Sequence, residues 1–508
     1  MKGISFIFTL AIFLLLASCS SADENLRAMV PNDALGVVKI NLPNVLVKAG
    51  IKNGDGEDVS LSIPSDLKQV IDESNENIVD EVNILGDVIG SLPSSGIDVN
   101  SNCYLFMSQG ALNAVALFHL EDNTKAQEMV SRIAGGKMKE MSGVTFVSHL
   151  DYVFAIDDDV LLIARKNNAT DDKASAEAKN ILNKSKSSLF ENGDIAKAID
   201  VENCDITAYV DAKGLPLLLD DSHFSTSIGD FSPLDFIAES GIKAMTATVN
   251  FNDTKRGEEK VEIVTDFICS KSSVYSLFYD RVVATSTGGG AIETLEAVPG
   301  DFDTYFTSRI NGEELMKMPG VAKLLQDLPV KGLDCGKILS SLNGNLVWGS
   351  QQFDDGDFIF GVAVESSSSD AVVHEIVNFA TLHGQAPIFN ASGEYQYDTS
   401  DGTKALVMNK RNDVVYLRYV NYVPNSSADQ WPALVGTMKT STVAFFKIVK
   451  IQGKQQGHLC WGLRNKTHGE GFYYTLDENE NIVTATLKSL CWKEPHAASD
   501  DEIGLSDF

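Results

Sequence analysis

The stretch VPNDALGVVKIN, residues 30–41, decides our prediction of the fold. Its proline and polar residues are typical of a turn, and the apolar, β-branched run after them is typical of a strand. The motif returns as VPGD at residues 298–301, and the IN pair of residues 40–41 returns at residues 310–311 after a two-residue slip. This recurrence predicts two related halves.

The predicted elements follow both motifs in the same order. After the first motif come a strand, a short helix, a strand pair at residues 103–107 and 114–120, a helix at 123–134 and strands at 144–148, 152–156 and 160–164. After the second come a pair at 346–351 and 358–364, a helix at 370–383 and a pair at 405–409 and 414–420. We therefore predict an α+β fold of two related halves in tandem, each an antiparallel β-sheet with packed helices.

Apolar spacing also predicts an amphipathic helix over residues 65–90, and a polar, alanine-rich pattern predicts one over 172–187. The end of the chain predicts an antiparallel meander of strands at 442–450, 457–463, 471–476 and 482–491. In that meander Cys460 and Cys491 would lie on next-but-one strands, roughly 9.6 Å apart. A disulfide needs Cα atoms within roughly 7 Å, so both thiols are predicted to be free.

The N-terminus carries an export pattern. Lys2 is followed by an apolar run from residue 4 to 16, which ends at Leu16-Ala17-Ser18-Cys19. The run is too short for a permanent transmembrane helix. The pattern resembles a bacterial lipobox, and that resemblance implies cleavage before Cys19 and lipid attachment to Cys19. The alternative is an ordinary signal peptide with a chance cysteine.

The residues after Cys19 predict where the protein is located. Ser20 resembles the second residue of lipoproteins that are released to the outer membrane, and Asp23 and Glu24 resemble the surface-export signal of Bacteroides-type lipoproteins. We therefore expect a lipid-anchored protein of the outer membrane, on the cell surface, with the periplasmic face as the alternative. The anchor at Cys19 would be its contact with the membrane.

The domain boundaries follow from these patterns. We predict a signal peptide at 1–18, a lipidated polar tether at 19–28, a first α+β repeat at 29–284 and a second at 292–493. The glycine-rich residues 285–291 are predicted to be the linker, because three consecutive glycines do not hold a regular element. Residues 494–508 are acidic and predicted to be disordered.

Composition narrows the possible partners. The chain has 508 residues and a formal net charge of −29. Such a field repels nucleic acid, so we expect no nucleic-acid partner. The seven cysteines form no C-x-x-C pair, which argues against a zinc ribbon or a thioredoxin-type site.

The sequence carries none of the usual catalytic motifs. It has no P-loop, no dinucleotide-binding loop, no G-x-S-x-G elbow and no H-E-x-x-H pair. We therefore name no catalytic and no cofactor-binding residue, expect no cofactor, and lean towards a protein that is not an enzyme. A hydrolase of glycans or peptides, with carboxylates that the sequence does not single out, stays open as the alternative.

Several polar clusters deserve comparison with metal sites. Acidic runs at residues 157–159, 354–357 and 477–481 could hold calcium, but the last lacks the glycine and the glutamate of a calcium loop. Polar turns explain these runs better. His458, Cys460, His468, Cys491 and His496 could together bind zinc, but they lack the close pair spacing of a structural site. We therefore predict no metal site.

Aromatic residues accumulate late in the chain, and they could form a sugar-binding platform. They are Tyr416, Tyr419, Tyr422, Trp461, Phe472, Tyr473, Tyr474 and Trp492. Flat aromatic rings beside polar groups suit glycans, but alternation along strands would bury half of them in a sheet core. Core packing is the favoured interpretation, and an unidentified glycan ligand stays open.

The lipobox, the V-P-x-D opening, the I-N strand end and the chain length together resemble uncharacterised Bacteroides lipoproteins of the domain-of-unknown-function 4836 family. The resemblance covers nearly the whole mature chain and implies a host with an outer membrane. It implies no reaction, substrate or active residue. We accordingly expect a non-enzymatic protein that binds a ligand or another protein of the cell envelope, with a glycan-binding or hydrolysing lipoprotein as the alternative.

Overall fold

A computed structural model was analysed. The residues described are 21–49, 95–141, 143–214, 240–252, 260–287, 291–298, 302–318, 320–321, 325, 332–352, 358–385, 387–398, 404–421, 432–451, 454–475, 482–483 and 485–486. Within these ranges, no helix has both the length and the apolar character needed to cross a bilayer.

The described residues form two compact units. Unit 1 contains those up to residue 268 together with residues 473–486, and unit 2 contains residues 269–472. Each unit contains an antiparallel sheet with helices packed on it. The predicted α+β class and the antiparallel pairing are therefore confirmed.

Ten strands form the sheet of unit 1. They are β1 (Gly36–Ile40), β2 (Cys103–Met107), β3 (Leu112–His119), β4 (Lys139–Met141), β5 (Val144–His149), β6 (Tyr152–Asp157), β7 (Val160–Lys166), β8 (Ile206–Asp211), β9 (Ile242–Asn252) and β10 (Lys260–Cys269). Their order across the sheet is β4-β5-β6-β7-β3-β2-β1-β8-β9-β10. The first strand therefore lies inside the sheet, between β2 and β8.

Five α-helices are described in unit 1: α1 (Ser21–Met29), α2 (Leu42–Lys48), α3 (Asn123–Ile133), α4 (Asp171–Leu182) and α5 (Gly193–Ile199). Helices α1, α4 and α5 pack on one face of the sheet, which we call the first face. Leu26 of α1, Ile181 of α4 and Ile199 of α5 share one core with Phe106 and Val115 of that face. Burial of these side chains holds the helices to the sheet.

Ten further strands follow in the chain, and they belong to unit 2 except for residues 473–475 at the end of the last one. They are β11 (Thr304–Asn311), β12 (Leu342–Gln352), β13 (Phe358–Ser366), β14 (Ile388–Phe389), β15 (Tyr395–Asp398), β16 (Lys404–Arg411), β17 (Val414–Asn421), β18 (Val443–Ile451), β19 (Lys454–Leu463) and β20 (His468–Thr475). Their order across the sheet is β14-β15-β16-β17-β13-β12-β11-β18-β19-β20. Each strand of unit 1 thus has a counterpart whose label is higher by ten and which takes the same position in the strand order.

Six α-helices are described in unit 2: α6 (Val274–Phe278), α7 (Ala291–Glu296), α8 (Gly312–Leu315), α9 (Cys335–Ser341), α10 (Ser369–Leu382) and α11 (Pro432–Thr440). Helices α7 and α11 pack on the first face, where Leu295 and Met438 join the core of Tyr305, Val347 and Phe446. Helix α10 packs on the opposite, second face, over β16 and β17.

The IN pairs perform the same task in both units. Asn41 accepts a hydrogen bond from the backbone N–H of Asn44 and caps α2. Asn311 accepts one from the backbone N–H of Glu314 and caps α8. An asparagine cap satisfies a donor that the first helical turn leaves unpaired, which explains the asparagine directly before each of these helices.

The N-terminal tether prediction needs correction. Residues 19–28 were expected to be a polar tether, but Ser21–Met29 is a helix. Leu26 is fully buried in the core of unit 1, and the Asp23 carboxylate accepts hydrogen bonds from the side chains of Asn102 and Tyr104. The composition looked polar because only one face of this short helix is apolar.

The boundary between the units also differs from the prediction. Unit 2 begins at residue 269 rather than after a linker at 285–291. Val282 and Val283 are buried, and the Tyr279 hydroxyl is 3.2 Å from the Thr442 hydroxyl within unit 2. Thr287 donates its backbone N–H to the Asn343 side chain, so the start of the predicted linker is tied to β12. The three glycines lie outside the described residues.

The predicted final strand is wrong. Ile482–Val483 and 485–486 are helical, and the Thr486 hydroxyl donates to the Ile482 carbonyl at 2.7 Å, as within a helical turn. The polar helix predicted at 172–187 ends at Leu182. Residues 1–20 with Cys19, the predicted helix at 65–90 and the predicted tail at 494–508 lie outside the described residues.

Candidate functional site

Five aromatic side chains lie together on the second face of unit 2. They are Phe306 of β11, Trp348 of β12, Phe358 and Phe360 of β13, and Tyr419 of β17. We call this set the aromatic face. Phe306 is opposite Trp348, and Phe360 is opposite Tyr419. Side chains opposite each other in an antiparallel pair share one face, so strand register alone places them together.

Four rings of the aromatic face contact one another, and strand register places Phe306 opposite Trp348. Phe360 is stacked with Trp348 at 5.6 Å between centroids and 12° between planes, and with Phe358 at 6.0 Å and 15°. Tyr419 contacts Phe358 and Phe360 at 5.7 and 5.8 Å. Trp348 is nevertheless 44% exposed and Phe306 41% exposed. The set is a pre-assembled apolar surface that remains accessible to solvent.

The aromatic row continues across two more strands. Phe306 is opposite Phe445 of β18, and Phe445 is opposite Trp461 of β19. Polar groups lie at its margins. The Lys404 ammonium lies 5.3 Å from the Tyr419 ring centroid, within cation–π range, and donates to the Phe358 carbonyl. Lys447, exposed, follows Phe445 by two residues and so shares its face.

The matching positions of unit 1 are small or buried. When Ile40 is aligned with Ile310, the strand pairings place Gly36 at the position of Phe306 and Met107 at that of Trp348. Met107 is only 5% exposed. The two sheets thus share their strand order but not the chemistry of their second faces.

A buried ion pair lies at the first face of unit 2. The Arg418 guanidinium contacts the Glu394 carboxylate at 2.6 Å, and the Tyr416 hydroxyl donates to the same oxygen at 2.7 Å. Burial by itself would raise the pKa of Glu394. The hydrogen bonds from Asn390 and Tyr416, together with the Arg418 charge, outweigh it and hold that pKa below its ordinary value. These contacts hold Glu394, in the turn that precedes β15, against Tyr416 and Arg418 of β17.

His119 has the most enzyme-like surroundings in unit 1. Its Nδ1 lies 3.2 Å from Asp98 and its Nε2 lies 3.3 Å from Asp159. The Ser101 hydroxyl donates to Asp98, and Asn25 donates to Asp159. Both ring nitrogens thus face carboxylates, so neither is directed at the hydroxyl as a general base would be. The arrangement joins loops and offers no nucleophile.

The family to which the sequence belongs can now be stated. A family model described as a domain of unknown function, DUF4836, matches residues 26–416. The chain belongs to the DUF4836 family. The match includes β1 to β16, so it covers the strands of unit 1 and most of the aromatic face.

Other comparisons add little to this DUF4836 protein. No curated protein matches its sequence. Crystal form III of TP0453 is similar over 52% of this chain and 89% of that chain, with 10% identity and a TM-score of 0.28. Crystal form IV of TP0453 is similar over 47% and 79%, with 12% identity and a TM-score of 0.27.

The predicted acidic clusters are only partly described. In the DUF4836 protein, residues 157–159 form the turn from β6 to β7, and Asp159 contacts Asn25 and His119. Burial and the charges of Asp158 and Asp159 raise the pKa of Asp157. Residues 354–357 and 477–481 lie outside the described residues. Among those that are described, no three His, Cys, Asp or Glu side chains gather closely enough to hold a metal ion.

The described members of the suspected zinc set have other partners. His458 contacts the Phe446 ring at 5.7 Å, and His468 lies 3.4 Å from Glu470. Cys460 is a free, buried thiol, and burial raises its pKa to about 11. A thiol that stays protonated at neutral pH is a poor metal ligand and a poor nucleophile. Cys491 and His496 lie outside the described residues.

The aromatic residues singled out in the sequence divide between several places. Tyr419 belongs to the aromatic face, and Trp461 is in register with it. Tyr416 packs against the first-face core, and Tyr473 is buried. Tyr422 and Trp492 lie outside the described residues. The sequence analysis missed Phe306, Trp348, Phe358 and Phe360, which only the strand order brings together.

Proposed function

We propose that this DUF4836 protein is a non-enzymatic binding protein of the cell envelope, held at the outer membrane by a lipid on Cys19. Its binding surface is the aromatic face of unit 2. The observation that carries the proposal is the exposure of Trp348 and Phe306 within a cluster of aromatic rings. Contiguous exposed apolar patches with polar margins mark interaction sites.

The ring geometry favours an apolar surface of another protein as the ligand. Phe360 stacks with both Trp348 and Phe358, so its ring faces are engaged by neighbouring rings. A sugar needs an open ring face, whereas a protein side chain can pack on ring edges as well. Aromatic residues are also enriched at the centres of protein interfaces.

Glycan binding is the second candidate, and one observation favours it. The Trp348 ring is 44% exposed, and the exposed Lys447 on the same face has an ammonium group that can donate a hydrogen bond to a sugar hydroxyl. If a glycan is the ligand, soluble oligosaccharides from the envelope will quench or shift Trp348 fluorescence. The Trp348→Phe variant removes that signal and identifies its source.

Site-directed photo-cross-linking tests the protein-partner proposal. A benzoylphenylalanine placed at Phe306 should cross-link, in intact cells, to one envelope protein. The same reagent at Leu150 is the matched control, because Leu150 is 47% exposed in the turn between β5 and β6 of unit 1. The Trp348→Ser and Phe360→Ser variants should abolish the product at Phe306. Products that are equal at both positions, or that survive these substitutions, would contradict the proposal.

The lipid anchor has its own test. If Cys19 carries the anchor, the Cys19→Ala protein will be recovered without acyl chains and in the soluble fraction after cell lysis. A Cys103→Ala variant is the control, because Cys103 is a buried thiol of β2 and has no part in anchoring. Unchanged membrane fractionation of the Cys19→Ala protein would defeat this part of the proposal.

We also infer that the two units arose by duplication of one ancestral α+β unit. The shared strand order, the equivalent caps at Asn41 and Asn311, and the recurring V-P-x-D motif support this. An experimental structure in which the residues from β1 to β10 cannot be superposed on those from β11 to β20 would contradict it.

A further inference from the structure

A second apolar surface lies in unit 2, at the edge of its sheet. Leu382 is 79% exposed, Phe389 63% and Ile388 57%. These are the three highest exposed fractions among the large hydrophobic residues of the described part of the chain. They occur within a short stretch of the chain, residues 382–385 and 387–389, which we call the tip. Single exposed apolar residues are common, but three such residues on one segment are not.

The fold places the tip at an edge. Leu382 is the last residue of α10, and the two-residue strand β14 follows it. β14 pairs with β15, and no other described strand pairs with its outer edge. The Phe389 ring leans on Tyr395, with 4.6 Å between centroids, which holds it in place without covering it.

The tip is free of charge. Residues 376–393 contain no Asp, Glu, Lys or Arg, although such residues make up 22% of the chain. The carboxylates at either end are occupied: Glu375 accepts from Lys337, and Glu394 pairs with Arg418. The matching edge strand of unit 1, β4, carries Lys139 and Glu140 instead. Exposed edges normally carry charges that prevent association, and this one does not.

We propose that the tip inserts into the interface of a phospholipid bilayer. Beyond the ligand-binding role proposed above, unit 2 would then have its own contact with the membrane. A chain with a net charge of −29 can approach lipid only where no charge must be desolvated, and the tip provides that place. Shallow insertion buries leucine, isoleucine and phenylalanine while head groups and water satisfy the open backbone edge of β14.

A second protein copy fits the tip less well. Edge-to-edge pairing through β14 would join only two residues per chain, Ile388 and Phe389. Isolated two-stranded pairings are marginal even when longer. A bilayer makes no demand on register or length, so it matches a short, uncharged and protruding segment.

Fluorescence on vesicles tests the proposal with a chain that begins at Ser20, so that neither the apolar run of residues 4–16 nor an acyl chain contributes. The Phe389→Trp variant should gain a blue-shifted emission component in phosphatidylcholine vesicles, relative to the parent protein, and brominated lipid should quench it. The Leu150→Trp variant is the control, and its added emission should not respond to either. A Phe389→Trp signal that vesicles leave unchanged would overturn the proposal.

Serine substitutions give an independent readout. Each of Leu382→Ser, Ile388→Ser and Phe389→Ser should weaken vesicle binding about tenfold, since burying such a side chain is worth more than a factor of ten in affinity. Val47→Ser is the matched control, because Val47 is 42% exposed in unit 1. If the tip variants instead abolish a dimer seen by sedimentation and leave vesicle binding unchanged, a second copy covers the tip and the proposal is wrong.

Discussion

The sheets of the two units have the same strand order, but their second faces have different surroundings. In unit 1, Met107 and its second-face neighbour Leu105 are buried. In unit 2, the position of Met107 is taken by Trp348, and Phe306 stands opposite it, both over 40% exposed. Strand order therefore determines the position of a side chain in the sheet. Whether that side chain is exposed to solvent depends on the residues packed over it.

The connections differ where the second faces differ. Residues 49–102 lie between α2 and β2 in unit 1, against residues 316–341 between α8 and β12 in unit 2. Residues 212–241 connect β8 to β9, whereas residues 452–453 connect β18 to β19. Unit 2 therefore has far less chain in these two connections from which a cover could be built, and exposed apolar patches of this kind mark interaction sites.

The largest expected change in stability tests the difference in burial between Met107 and Trp348. Met107→Ala should lower the free energy of unfolding of unit 1 by about 2–4 kcal/mol, because it removes buried volume from a packed site. Trp348→Ala, at the matching position, should cost unit 2 less than about 1 kcal/mol, as an exposed side chain does. Guanidinium titrations, with the unfolding transition of each unit assigned, measure both. Equal losses would mean that Trp348 serves the core.

An intermediate loss of stability is expected at a position that carries a basic residue in both units. Strand register aligns Arg418 of unit 2 with Lys166 of unit 1. Arg418 pairs with Glu394, which is 12% exposed, whereas Lys166 pairs with Asp171, which is 64% exposed. Glu394→Gln should destabilise unit 2 by about 3 kcal/mol, since it leaves a buried charge without its partner. Asp171→Asn should cost unit 1 less than about 0.5 kcal/mol.

The Arg418–Glu394 pair should make the stability of unit 2 depend on pH. The pKa of Glu394 is lower in the folded protein than its ordinary value. Its contribution is therefore fully present above the ordinary glutamate pKa of about 4.3 and is lost as the pH falls through the lower, folded-state value. Unit 2 should lose stability over that acid range, and the Glu394→Gln variant should lose less. Parallel acid profiles for the two proteins would contradict this.

The smallest effect tests what the units share. Asn41→Ala and Asn311→Ala should each cost about 1 kcal/mol, because each removes a helix cap of the same geometry. Asn41→Ser and Asn311→Ser should restore most of it, since serine also caps. A cost at one site and none at the other would show that the two caps are not equivalent.

Much of the strand framework could be predicted from the sequence. Alternating and β-branched runs predicted β2, β3, β12, β13 and the helix α10 within a few residues, because their apolar spacing is regular. Helix α1 was missed, since its buried residues, Leu26 and Met29, stand among polar residues. The helical residues 482–483 and 485–486 were missed because the IVTAT sequence of residues 482–486 has strong β-propensity, which local context overrode.

The candidate site could be predicted only in part. Tyr419 was visible as one of many late aromatic residues, but Phe306 and Trp348 lie far from it and from each other in the sequence. Their proximity depends on β11 pairing with both β12 and β18, which is a long-range property. The tip was equally hidden, since an apolar pair such as Ile388–Phe389 looks like any short strand until its exposure is known.

The position of the first strand has a consequence for how the protein is made. β1 lies between β2 and β8, so residues 36–40 gain their second neighbour only when residues 206–211 have been synthesised. Likewise, β11 can form its pairing with β18 only after residues 443–451 have been synthesised. Pairing over such sequence separations slows folding, because the chain loses loop-closure entropy before the strand contacts form and offset that loss. A nascent chain with this topology therefore completes each sheet only after most of that unit has been synthesised.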